Sequence, residues 1–471
     1  MNNVDKDVYY GITPLLKHER IYSYWDIVLA TGAWAIATWC YVQGGQIASM
    51  LGLKEVLTST MFGMTLAGLV IYLCVIIATR YGIDIWVYQR AVLGHLGLSI
   101  FALLYIGGQF GYYAINAEVY VNSIVKVFAA GGISVPDALF PWIAITSVLL
   151  GTWIALKGPI AVRTSTRIMV PCLLAVGLII LISVLTKYSL SELAAIKPIY
   201  ADAYGGSWIN YMLVMEWNIS YILAWFGALG VLARLVKTER ASYWGHMTGF
   251  SVIMAVFICI GALTALAMLA ATGVESVDPT EWLIELGGPV FGVLSLLFII
   301  IANITTQAVG LYSFAVSTKV IKPELKFTSV TLFWAGWTIL LVFWGGIWEY
   351  YEIFLAVVGS TAGSVVALIL ADFYIVRKRK LSMKALYKIK GSKAYQYTGG
   401  FNIVALIAFA AGISSYLFVY DPINAVPRNN LFLYTTATGI AMLTSAGVYV
   451  LLSLIPPVQK YLRKDLKEKN I

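Results

Sequence analysis

Long apolar stretches separated by short polar connections run through this chain from residue 25 to residue 455. A helix needs about 20 residues to cross a hydrocarbon core of about 30 Å. Twelve stretches approach or exceed that length: 25–48, 58–79, 97–125, 138–156, 167–186, 209–233, 246–273, 288–316, 327–347, 352–376, 401–420 and 431–455. Only helices and closed barrels satisfy their backbone in lipid. The pattern therefore predicts an all-α integral membrane protein of 12 transmembrane helices.

Charge orients the spans. With the N-terminus in the cytoplasm, only Lys54, Lys126, Lys187, Lys197 and Arg428 of the 32 Lys and Arg fall outside. The densest inner cluster is Arg377-Lys378-Arg379-Lys380, continuing through Lys384, Lys388, Lys390 and Lys393, while Glu275, Asp278, Glu281 and Glu285 fall outside. Cytoplasmic loops carry the excess of Lys and Arg, so both termini are predicted to be cytoplasmic, in a plasma-membrane protein. Anionic lipid headgroups would sit beside the basic cluster. The chain then divides into a cytoplasmic segment (1–24), spans one to five (25–187), an outer loop (188–208), spans six to ten (209–376), a basic cytoplasmic loop (377–400), spans eleven and twelve (401–455) and a cytoplasmic tail (456–471).

Composition narrows the function classes. The chain is 60% hydrophobic and 12% charged, against about 25% charged for a soluble chain. The net charge of +9 is accounted for by topology rather than by a nucleic-acid partner. Cys40, Cys74, Cys172 and Cys259 all lie in apolar spans, with no metal or disulfide spacing. His18, His95 and His246 fall near span ends on one side, off the membrane interior, so no acid, base or metal cluster for an enzyme is in view. Nor is there a filter-like repeated loop for a channel. The first 20 residues lack a signal peptide's apolar core, which leaves insertion to span one.

Two spans are not plain helices. Span one holds Thr31-Gly32, Thr38, Gln43 and Gly44-Gly45-Gln46; span six holds Ala224-Trp225-Phe226-Gly227-Ala228-Leu229-Gly230. Interruptions at corresponding places in two halves mark transporter sites, and these two lie five spans apart. The repeats would be spans one to five and six to ten, with spans eleven and twelve outside. Close helix packing is the other reading of the same glycines. In span eight, Thr305 and Thr306 either bond back to their own helix or face a wet cavity. Glu118 and Glu216 are intramembrane acids of the outer half: candidates for gating, for a proton, or for snorkelling to the interface. Asp26, Asp84 and Asp372, at cytoplasmic ends, read as helix-end or loop contacts, and Asn116, Asn218 and Asn303 carry no assigned role.

Several local patterns, in order, resemble the nucleobase–cation symporter family, especially its bacterial hydantoin permease branch. They are Ala33-Trp34-Ala35-Ile36 through Gly45-Gln46; Arg90-Ala91 to Gly97 with Tyr105-Ile106-Gly107-Gly108-Gln109; Trp225 with Lys237; Ala302-x-x-Thr305-Thr306; and Ala371-Asp372 through Arg377-Lys378-Arg379-Lys380 to Leu386-Tyr387-Lys388 and Gly391. The resemblance implies a leucine-transporter-like five-plus-five inverted repeat with two extra C-terminal helices. A bundle of spans one, two, six and seven would move against spans three, four, eight and nine.

Carried onto this chain, the resemblance puts a sodium ion on the carbonyls of Ala33, Ile36 and Ala302 and the hydroxyls of Thr305 and Thr306. Hard, uncharged oxygens of this kind suit sodium. A proton remains the alternative coupling ion. The planar substrate would stack between Tyr105 and Trp225, next to Ala224, with Gln109 reading its amide edge. The sequence departs from the branch in three places: Tyr105 stands for Trp, Ala224 for Gly, and Leu311 for a substrate-binding Asn. Gln307, one turn earlier, and Gln43 in span one are candidates to replace that amide. The implied function is import of a nucleobase or cyclic ureide with sodium. An amino-acid or amine permease of the same fold is the runner-up.

Overall fold

In the computed structural model of the chain, residues 13–36, 38–203, 205–347, 349–387 and 394–467 are described. Lys388, Lys390, Gly391 and Lys393 of the basic loop lie outside the described residues. Helix occupies each of the predicted stretches. Single helices form span two (Leu53–Tyr81), three (His95–Ala130), four (Asp137–Leu156), five (Ile160–Lys187), seven (Glu239–Thr272), eight (Val290–Ile321), nine (Phe327–Trp344) and ten (Tyr351–Val376). Span six is the bent pair Ser207–Leu223 and Phe226–Ala233. Span one is two short helices, Tyr24–Ala35 and Thr38–Met50. Span eleven is Ile403–Val419, and span twelve is Ala437–Ser453, from which Pro456–Leu462 turns away by 108°.

Small residues let these helices approach closely, as packing in lipid requires. A Cβ on Gly44 would lie 2.2 Å from the Ile258 carbonyl oxygen, and one on Gly261 would lie 2.7 Å from Tyr41 Cα. Spans one and seven thus meet backbone to backbone. His246, near the start of span seven, is fully buried by protein, with Nδ1 2.7 Å from the Ser242 carbonyl and its ring on Phe250. The helix of span seven begins at Glu239, earlier than the apolar pattern suggested, and carries His246 inside.

The connections show an internal repeat. Span two ends on left-handed Gly82, Asp84 caps a helix at Ile85–Leu93, and Gly94 (φ 80°, ψ 171°) turns it into span three. Span seven ends on left-handed Gly273, Asp278 caps a helix beginning at Pro279, and Gly288 (φ 76°, ψ 175°) turns it into span eight. The two caps match: Asp84 Oδ1 accepts from the Trp86 N–H and Asp278 Oδ1 from the Thr280 N–H, both at 2.9 Å. Lying five crossings apart, the two helices sit at opposite ends of the bundle. Each braces the other half's broken span. The Trp86 indole donates to the Gly227 carbonyl in span six at 2.9 Å, and Trp282 packs against Gly45 in span one.

At the end of span ten, a π-helical turn over Ala371–Val376 brings residues five apart onto one face. Arg377 Nε reaches Asp372 Oδ2 at 2.7 Å, and its Nη1 pairs with Asp465 of the tail. Tyr88 and Tyr449 donate to Asp372, Tyr395 donates to Asp465, and all three charged groups are buried. The Asp–Arg run in this stretch is thus a buried ion network at the basic end of the molecule.

Candidate functional site

Span one unwinds where two helix ends meet. Its first helix stops at Ala35, Ile36 leaves helical geometry (φ −94°, ψ 21°), and the second begins at Thr38. The Thr38 hydroxyl donates to Asn303 Oδ1 at 2.7 Å, with Asn116 Oδ1 at 3.3 Å. This joins the break in span one to span eight beside Ala302, and to span three. Asn116 and Asn303, assigned no role from the sequence, are therefore part of the arrangement.

The break in span six lies at Ala224-Trp225, where the chain bends by 41°. The Tyr105 hydroxyl fills it, donating to the Ala224 carbonyl at 2.7 Å and accepting from the Gly227 N–H at 3.1 Å. A freed backbone group in a membrane must find such a partner. Tyr105→Phe is accordingly expected to cost about 1–3 kcal/mol, the desolvation of groups left unpaired. Unfolding in detergent checks this. An unchanged midpoint would return Tyr105 to a stacking role.

Between the two breaks lies a chamber lined by Trp34, Trp39, Tyr113, Met169, Trp225, Ala228, Thr306, Val309, Ser313 and Phe314. Its free volume is about 20 Å³, room for a single water rather than a ring. Aromatic rings make most of its wall. The Trp225 centroid is 5.2 Å from Trp39, 6.3 Å from Trp34 and 5.6 Å from Phe250, which stacks on it. Among the described residues the indole N–H groups of Trp39 and Trp225 have no acceptor, although both are buried.

The residues expected from the sequence divide around this chamber. Trp225 and Thr306 line it. The Thr306 hydroxyl points at Met169 Sδ, 3.3 Å away, whereas the Thr305 hydroxyl bonds back to the Ile301 carbonyl at 3.1 Å. Ala302 is fully buried on the same helical face. Ala33 lies in the last turn before the break and Ile36 at the break itself. Tyr105 does not line the chamber: it packs on Trp86, Phe101 and Phe226 and borders a separate apolar groove with Gly108 and Phe354. Gln109 is buried, its Nε2 without a partner among the described residues. Gln307 Nε2 donates to the Tyr113 carbonyl at 2.5 Å, and Gln43 Oε1 accepts from the Tyr351 hydroxyl at 2.9 Å. Leu311 is fully buried outside the lining. The sequence reading missed Trp34, Trp39, Tyr113, Met169, Ala228, Val309, Ser313 and Phe314. Spacing held a signal for two of them, since Tyr113 lies one turn after Gln109 and Ser313 two turns after Thr306.

The two acids part company. Glu216 is fully buried and does not snorkel. Its carboxylate accepts from the Thr438 N–H at 2.8 Å and from the Thr438 hydroxyl, at the N-terminus of span twelve. A helix N-terminus is a favourable place for a carboxylate. Glu118 is only partly buried, and its Oε1 has no hydrogen-bond partner among the described residues. One turn on, Asn122 donates to Asp278 at 2.9 Å, and Lys126 lies 3.6 Å from Glu281. Burial pushes the Asp278 carboxyl above its usual range, against the pull of the Lys126 ammonium.

Comparison with known proteins sets this geometry in context. A family described as permease for cytosine/purines, uracil, thiamine and allantoin matches residues 14–431. A purine-uracil permease of Arabidopsis thaliana is 22% identical over 398 residues, covering 79% of this chain and 65% of the relative. An allantoin permease of Bacillus subtilis is 24% identical over 237 residues, covering 48% of this chain and 45% of the relative. The chain thus spans less than two thirds of either relative's length. Mhp1, a nucleobase-cation-symport-1 family transporter solved closed around bromovinylhydantoin, superposes with a TM-score of 0.77 at 17% identity, over 96% of this chain and 95% of that one. Its inward-facing form gives 0.78 at 18% identity, over 96% and 93%. A sodium-coupled sialic acid symporter gives 0.63 at 13% identity, over 96% and 92%. At these identities the likeness concerns the fold alone, and it is the leucine-transporter-like fold expected from the sequence.

Proposed function

The chain belongs to the family of permeases for cytosine/purines, uracil, thiamine and allantoin, and from that premise we propose that it imports a nucleobase or related cyclic ureide by sodium symport. It is a multi-pass membrane transporter and not an enzyme. One observation carries the reading: the Thr306 hydroxyl, the Trp225 ring and the residues flanking the break in span one meet at a single chamber. In this reading the carbonyls of Ala33, Ile36 and Ala302 and the hydroxyls of Thr305 and Thr306 hold sodium. The cargo stacks on the face of Trp225. Import runs across the plasma membrane, with both termini in the cytoplasm. The ion and the cargo favour the same closed state, and that differential binding couples them. The purine-uracil and allantoin permeases support the cargo class, and the sodium-coupled sialic acid symporter supports the ion.

The test is uptake into proteoliposomes of labelled nucleobases, hydantoin, allantoin and amino acids, under a sodium or a proton gradient. Uptake driven by protons and indifferent to sodium would remove the ion from the proposal; uptake of amino acids alone would remove the cargo. Aromatic stacking is worth about 1–3 kcal/mol per base. Trp225→Ala is therefore expected to raise the half-saturating cargo concentration by roughly 10- to 100-fold. Sodium dependence should shift far less.

A further inference from the structure

Trp39 is the second residue of the outer helix of span one, Thr38–Met50. Its indole stands between two other rings of the chamber, at 5.6 Å and 87° from Tyr113 of span three and at 5.2 Å and 52° from Trp225 of span six. With Trp39 in place, about 20 Å³ is left free. An indole is itself a flat fused bicycle of roughly the size of a purine. Its N–H can only donate, yet it has no acceptor among the described residues although the side chain is 3% exposed. A buried donor left unpaired disfavours the position it sits in. Trp39 is thus well shaped for the slot and poorly satisfied within it. The Thr38 hydroxyl ties the turn that carries it to spans three and eight.

Resting on the reading of this chamber as the cargo site, we propose that Trp39 occupies the cargo's own slot and determines specificity there. Its indole is a built-in substitute for a flat ring and is displaced as cargo enters. The cargo it matches is a planar heterocycle no larger than a fused bicycle, seated between the rings of Tyr113 and Trp225. Displacement takes the Trp39 N–H to a place where it can find an acceptor, which favours opening.

The experiment measures binding of labelled hypoxanthine and uracil to purified wild type, Trp39→Ala and Trp39→Phe. Free indole is the competitor, and thermal unfolding is the control for folding. Removing a competing occupant raises apparent affinity. Trp39→Ala should bind hypoxanthine at least roughly ten-fold more tightly than wild type, with uracil gaining less. Free indole should displace hypoxanthine from Trp39→Ala and not from wild type. Trp39→Phe should fall between the two, and it carries the test alone if Trp39→Ala does not unfold cooperatively. Equal or weaker hypoxanthine binding by the folded variant, or no displacement by indole, overturns the proposal. Binding of bases by Trp39→Ala with no uptake by wild type sinks the proposed function and leaves this inference standing. No base binding in any variant overturns both.

Discussion

Arg377→Met should leave little folded protein. The guanidinium sits between Asp372 and Asp465, and neither carboxylate has contact with water. Nη2 also donates to the Leu462 carbonyl at 2.6 Å. Methionine keeps much of the stem's volume, so packing changes little and two buried carboxylates lose their counter-charge. Breaking a buried pair from one side typically costs about 3–5 kcal/mol, a large share of the stability of most domains. The measurement is the fraction of monodisperse protein and its denaturation midpoint in detergent. Adding Asp372→Asn and Asp465→Asn to Arg377→Met should recover part of the loss, because the residual charge then disappears. If Arg377→Met alone matches wild type, the network does not hold the tail against span ten.

Thr306→Ala should strike the proposed ion site with little effect on the fold. The hydroxyl faces the chamber, and it donates to the Met169 thioether sulfur, a weak acceptor. Removing it forfeits almost nothing in the ion-free protein. On the scale of a hydrogen bond to a charged group, about 1.5–3 kcal/mol, the half-saturating sodium concentration should rise by roughly 10- to 100-fold. Thr306→Ser should restore it. Thr305→Ala should move sodium dependence in the same direction by less, since its hydroxyl must first leave the Ile301 carbonyl. Sodium-dependent uptake unchanged in Thr306→Ala would remove that residue from the site.

The spans, the two breaks and the hydroxyl pair were legible because each is a local property of the chain. Apolar length marks a span, and glycine or polar residues within it mark a break. Side-chain direction across the bundle was not legible. Tyr105 stands on the expected helix, but an unwound span six exposes a carbonyl and an N–H, and the phenol hydroxyl is claimed by that demand before any cargo. A packing residue and a wall residue look alike in one span, so Trp39 was passed over. Which way it faces depends on how the outer helix of span one restarts after Ile36. The Arg377 cluster was visible as positive charge and as a family-like pattern with Asp372, but not as a buried ion network. Its counter-charges come from a π-helical turn and from a tail some ninety residues on, and neither leaves a pattern in hydropathy. Glu216 was visible as an anomaly, but its partner is the start of span twelve, outside the repeat that the pattern revealed.

The cross-bracing of the halves bears on how the chain is made. Trp86 reaches its seat on the Gly227 carbonyl only after another 141 residues have been added. At about 5–20 residues per second, Trp86 waits roughly 7–30 s with its indole edge unmatched. Gly45 waits longer still for Trp282. The nascent first half is thus an incomplete object, a natural client for an insertase or chaperone during that interval. Slowing translation beyond span five should increase its degradation more than slowing it beyond span eight.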